Sequence, residues 1–139
     1  MTAFNTQREL PASPEQVFAA FQDPVRLARW WGPDGFTNQF AVFDFQPGGR
    51  WVFTMIGPDG KPYHNEAVFQ ATEPARRIVV HHLSLPVFTL TISLQASTIG
   101  TLVHWEQAFA DAAVAQAVRH IVEPANEQNL NRWTLEVQG

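Results

Sequence analysis

The sequence predicts an α+β domain in which a curved antiparallel sheet of six or seven strands cups one long C-terminal helix. Three observations carry that prediction. Over residues 112–137 the apolar positions Val114, Val118, Ile121, Val122, Ala125, Trp133 and Val137 recur at the three-and-four spacing of one helical face. Over residues 36–109 the period changes to two, in runs separated by turn-forming clusters of Gly, Pro, Asp and Ser. The connections between those runs are too short for parallel crossovers, so neighbouring strands are antiparallel.

In chain order, residues 3–9 read as a first strand. Ser13-Pro14-Glu15-Gln16 then starts a short helix: Ser13 caps it, Pro14 suits its first position and Gln16 completes a capping box. Val17, Phe18 and Phe21 form its buried side. Asp23-Pro24 starts a second short helix carrying Val25, Leu27 and Trp30, which must stop by Gly32-Pro33. Strands follow at residues 36–45, 50–56, 63–72, 77–83, 87–96 and 101–109. At Gly57-Pro58-Asp59-Gly60 the turn has a mechanism, because Pro sets one φ and Gly accepts a positive one. Phe88, Leu90, Ile92 and Leu94 alternate with Thr89, Thr91, Ser93 and Gln95, as in a strand with one buried face. Asp111 caps the long helix, and Pro124 inside it removes a hydrogen bond and should bend it. Asn126 and Asn129 stand on or beside its apolar stripe, where a core helix would carry Leu or Ala. A bent helix presenting amides to its own sheet predicts a lined cavity.

Composition narrows the function. A chain of 139 residues, 45% hydrophobic and 16% charged, is expected to form one globular domain over residues 1–139. Eleven Phe and five Trp against one Tyr make an aromatic interior. With a net charge of −4 and nine scattered basic residues there is no cationic stripe, so nucleic acid is not an expected partner. No run approaches the ~18 apolar residues of a membrane span, and the N-terminus lacks the charge-then-apolar pattern of a leader. The expected location is cytoplasmic. The absence of cysteine excludes disulfides, thiolate metal sites and a Cys nucleophile.

Trp30-Trp31-Gly32-Pro33, Pro47-Gly48-Gly49-Arg50-Trp51, and Gly57-Pro58-Asp59-Gly60 with Tyr63-His64-Asn65-Glu66 occur in a telling order. Glu73-Pro74 and Ala125-Asn126-Glu127-Gln128-Asn129-Leu130 continue it. Across nearly its whole length the chain resembles bacterial proteins of the family named after the C-terminal domain of the Hsp90 ATPase activator. That family lies within the START-like (Bet v 1-like, polyketide cyclase) superfamily. The resemblance implies a helix-grip fold, with a cavity between the sheet and the last helix. It further implies a small lipid-, hormone- or polyketide-like ligand, and in a minority of relatives a cyclase or dehydratase activity. It brings no catalytic set. A chaperone contact follows from the family name alone, and a homodimer is compatible with the pattern.

His81-His82 resembles a metal pair, but adjacent strand residues face opposite ways and no second helical pair is present, so no metal is expected. His82 shares parity with Ile78 and Val80 and is expected inward. By the same reasoning Asn65 points inward and Glu66 outward; a twist that turned Glu66 inward would make it a general base beside aromatic rings. Glu106 and His104 pose the same choice. No Gly-x-Ser-x-Gly elbow and no phosphate-binding glycine loop occur, so neither a serine nucleophile nor a nucleotide cofactor is expected. The cavity remains. Trp30 and Trp31 would stand at its mouth; Trp51, Phe53, Met55, Phe88 and Leu90 would form apolar walls. Asn65, His82, Asn126 and Asn129 would orient a small hydrophobic or amphipathic ligand. The enzymatic alternative places Glu66 or His82 as base, and a chaperone-interaction module is a third reading.

Overall fold

In the computed structural model, which describes residues 2–139, the chain runs β1 (Thr2–Leu10), α1 (Pro14–Gln22), α2 (Pro24–Trp30), β2 (Thr37–Phe43), β3 (Arg50–Ile56), β4 (Pro62–Glu73), β5 (Arg77–His82), β6 (Phe88–Ala96), β7 (Thr101–Phe109) and α3 (Ala112–Gln138). The strands form one sheet in the order β1-β7-β6-β5-β4-β3-β2, antiparallel at every step. This is the expected α+β helix-grip arrangement, with seven strands.

Local chemistry sets the element ends. The Ser13 hydroxyl accepts from Gln16 N–H at 3.2 Å while the Gln16 side chain accepts from Ser13 N–H at 3.0 Å, closing the capping box. Asp23 ends α1 and caps α2, accepting from Val25 N–H at 3.0 Å. Asp111 accepts from Ala113 N–H at 2.9 Å at the head of α3. The strand expected over residues 36–45 is shorter, because at Asp44 the chain turns and its N–H reaches back to the Arg50 carbonyl at 2.9 Å. Only glycine fits at Gly49, where a Cβ would collide with the Asp44 carbonyl oxygen. Register shifts between Phe40 and Val42 and between Phe69 and Ala71 put bulges into β2 and β4. Bulges bend strands and increase their twist.

The α3 helix runs uninterrupted through Pro124 and packs against β1, β7, α1 and α2. Its ends sit in different apolar clusters. Leu130 and Trp133 join the main core of Trp and Phe rings beneath α1 and α2, whereas Ala115, with Val118 and Val122 beside it, joins a smaller cluster around Phe4 and Phe109. Phe88 touches both clusters. The apolar stripe differs in detail from expectation. Ala115 and Leu130 are buried, Val114 is only half-buried, and Ile121 is 60% exposed. A helix anchored at both ends by different clusters need not bury its middle.

Candidate functional site

Between those two clusters the sheet and α3 leave a cleft of about 470 Å³. Phe53 and Met55 of β3, Asn65 of β4, His82 of β5, Phe88 of β6 and Gln107 of β7 form its floor and walls. Ile121, Val122, Ala125, Asn126 and Asn129 of α3 cover it, and Trp31-Gly32-Pro33 closes one end. Tyr63, His64 and the β5–β6 loop residues Leu85 and Pro86 stand at the other side. Tyr63, Leu85 and Ile121 are large, apolar and exposed, so the wall continues outward as a hydrophobic rim.

Several side chains anchor the closing loop, among them Asn38, which donates to the Trp31 carbonyl at 2.7 Å, and Gln128, which accepts from Asp34 N–H at 3.0 Å. Asn129 is 7% exposed; its oxygen accepts from Gly32 N–H at 2.8 Å and its nitrogen donates to the Ala125 carbonyl at 3.0 Å. Gly32 has φ +100°, and a Cβ there would press on Met55 at 2.8 Å, so this loop needs glycine. Arg132 supplies a further anchor, donating to the carbonyls of Arg29, Trp31, Gly32, Pro33 and Phe36 over 2.8–3.2 Å. One guanidinium thus satisfies the carbonyls of a loop that leaves a helix without regular pairing of its own.

On the opposite wall His82 is 6% exposed and stacks on Phe88 with ring centroids 4.4 Å apart. Its Nδ1 lies 3.0 Å from the Pro86 carbonyl oxygen and its Nε2 lies 2.7 Å from the Asn65 side-chain oxygen. Burial pushes the imidazole below its ordinary 6.5, opposed by the hydrogen bonds to Pro86 and Ser84. A neutral ring donating from Nδ1 leaves Nε2 as an acceptor with the Ser84 hydroxyl 3.4 Å away as a donor, while the Asn65 amide nitrogen donates to the Tyr63 carbonyl at 3.0 Å. Desolvation is the larger influence, so the neutral ring prevails at pH 7.

Of the residues expected at the cavity, Trp31, Phe53, Met55, Asn65, His82, Phe88, Asn126 and Asn129 stand on the cleft wall. Trp30, Trp51 and Leu90 do not. Trp30 is stacked flat on Trp133 at 4.5 Å, Trp51 lies between Phe53 and Phe69, and all three belong to the main core. Their side chains are consumed in packing that core, and the hollow is left over Phe53, Asn65, His82, Phe88 and Gln107. Glu66 is on the other face of β4, exposed, with Arg50 at 3.6 Å, so no twist turns it inward. His81 bonds Thr89 Oγ1 at 3.2 Å and does not converge with His82. Among the described residues no group of three metal-ligating side chains is clustered. Among the described residues no helix is long and apolar enough to cross a membrane.

Gln107 escaped the sequence reading, although a signal existed: it shares parity with Trp105 and Phe109, a glutamine on an otherwise apolar face. It is 9% exposed, and its buried Oε1 has no hydrogen-bond partner. Asn126, 6% exposed, makes no side-chain hydrogen bond among the described residues.

The family described as "Activator of Hsp90 ATPase homolog 1-like protein" matches residues 11–134. No curated protein matches the chain. Among solved structures, a protein of Chromobacterium violaceum superposes with TM-score 0.88 at 23% identity, covering 100% of this chain and 99% of the other. One from Arthrobacter aurescens gives 0.90 at 22%, covering 98% and 86%. The AHSA1 protein of Silicibacter pomeroyi gives 0.80 at 19%, covering 99% and 98%. At these identities the likeness shows a shared fold.

Proposed function

This chain belongs to the Activator of Hsp90 ATPase homolog 1-like family, and from that premise we propose that it binds a small hydrophobic or amphipathic molecule between its sheet and α3. One observation carries the reading. The cleft of about 470 Å³ combines apolar walls with a few polar side chains, Asn65, His82, Gln107 and Asn126. Small-molecule sites usually have ~300–1,000 Å³ and a few placed polar groups on an apolar wall. The enzymatic alternative has less support. Glu66 faces away, and both ring nitrogens of His82 already have neighbours, which suits an orienting group better than a proton carrier. A chaperone-binding module would need an apolar face of its own, whereas Tyr63, Leu85 and Ile121 extend the cleft itself.

A plug tests the proposal. Ala125 stands half-buried on the cleft wall, and only its backbone carbonyl is used, by Asn129. Ala125→Trp should fill the hollow, keep cooperative unfolding, and weaken binding of the neutral dye Nile red by about tenfold or more. Full dye affinity in a folded Ala125→Trp protein would refute cleft binding.

A further inference from the structure

The cleft has a closed end and an open one, which narrows its ligand; this inference rests on the binding reading above. Along α3 the lining passes from exposed Ile121 through half-buried Val122 and Ala125 to buried Asn126 and Asn129. The other walls share that gradient, with Leu85 89% exposed on the outside and Phe53 2% exposed within. Behind the buried end lies solid core. The Trp31 ring is 6.4 Å from Phe53, 4.9 Å from Trp51 and 6.1 Å from Trp105, centroid to centroid. Polarity follows the same gradient. The Trp31 indole nitrogen and Gln107 Oε1 are sealed from any occupant, and both amide atoms of Asn129 are bonded within the protein. Asn126 borders this cleft and a second small void, and Tyr63 and His64 are exposed at the mouth. The wall holds no Lys, Arg, Asp or Glu, so an ionised group carried inward would lose its water without a counter-charge. At the mouth the same group stays hydrated.

We propose that the cleft takes a single-chain amphiphile tail first, with its head at Tyr63 and His64 and its tail ending against Trp31 and Phe53. The two rings then act as a stop that sets tail length. The Trp31 carbonyl accepts from Asn38 at 2.7 Å and from Arg132 at 3.2 Å, which holds the stop in place. Each methylene short of the stop exchanges water for an apolar wall. Methylenes beyond it push the chain back over Leu85 and Ile121, which are themselves exposed and bury it only partly.

The probes are the even-numbered saturated carboxylates from hexanoate to hexadecanoate, each kept monomeric and titrated by NMR at about pH 8, where they are ionised. In the wild type affinity should rise about three- to fourfold per methylene and then break to a shallower slope. Trp31→Phe and Phe53→Leu each draw the stop back, so in either folded variant the break should move to a longer homologue. Replacing the carboxylate by an alcohol at fixed length should shift the signals of Tyr63 and His64 and spare those of Trp31 and Phe53. A uniform slope, a break that stays put in a folded variant, or a head exchange felt at Trp31 would each overturn tail-first binding. Carboxylates that fail to bind while Nile red binds would overturn the ligand class alone. Failure of Nile red as well would take the cleft reading with it.

Discussion

At His82 burial competes with hydrogen bonding. The ring is packed flat on Phe88 and lowered below 6.5 by desolvation, so the unfolded chain takes up this proton first as the pH falls. Its contribution to stability is therefore complete above about 6.5 and declines from there toward the lower folded value. Urea unfolding between pH 7.5 and 5.5 should show that decline in the wild type and a shallower one in His82→Gln; equal slopes would remove His82 as its source. Asn65→Asp should act oppositely, raising the His82 pKa, because a carboxylate would replace an amide oxygen 2.7 Å from Nε2. Strand parity was enough to turn Asn65 and His82 inward. That they would meet each other, and that Glu66 would pair with Arg50, depends on cross-strand geometry that no stretch of sequence displays.

At the scale of the element, α3 is a helix of three parts. Its C-terminal part docks through Leu130 and Trp133, whose indole N–H donates to the Val17 carbonyl at 3.2 Å. Arg26 and Arg29 of α2 fasten Glu136 at 3.0 and 2.9 Å. Its N-terminal part docks through Ala115. Between them Pro124 is exposed, and a proline inside a helix forfeits a hydrogen bond and crowds the preceding turn. Pro124→Ala should therefore stabilise the fold by about 1–3 kcal/mol. Thermal melts check this, and a lower Tm would mean that the proline shapes α3 over the cleft in a way the packing depends on. The helix was readable from periodicity and its Asp111 cap. Its division into anchored ends and an open middle was not, because Val118, Ile121 and Val122 are equally apolar in sequence whatever lies opposite them.

For the molecule as a whole, Phe21 is the joint between helices and sheet. It is fully buried and lies 5.8–6.5 Å, centroid to centroid, from Phe45, Trp30, Trp31, Trp51, Trp133 and Phe69. Phe21→Ala should cost about 3–5 kcal/mol, seen as a lower urea midpoint at unchanged slope. A loss below ~1 kcal/mol would mean that the core collapses onto the gap, against the close packing expected of such interiors. The same packing explains why Trp30, Trp51 and Leu90 are solid core. Side chains expected to wall a cavity are consumed where α1 and α2 supply partners, and the hollow survives beneath the middle of α3.

Element types, their order and the antiparallel pairing followed from the sequence by itself, because periodicity, caps and turn residues act within a few positions of one another. So did the inward parity of Asn65 and His82. The tertiary structure alone decided which half of the interior is filled, that Asn129 and Arg132 tie down the loop after α2, and that Gln107 and Asn126 are left without partners. Those outcomes depend on whether groups far apart in the chain arrive at the same place with matching shape and hydrogen-bonding capacity.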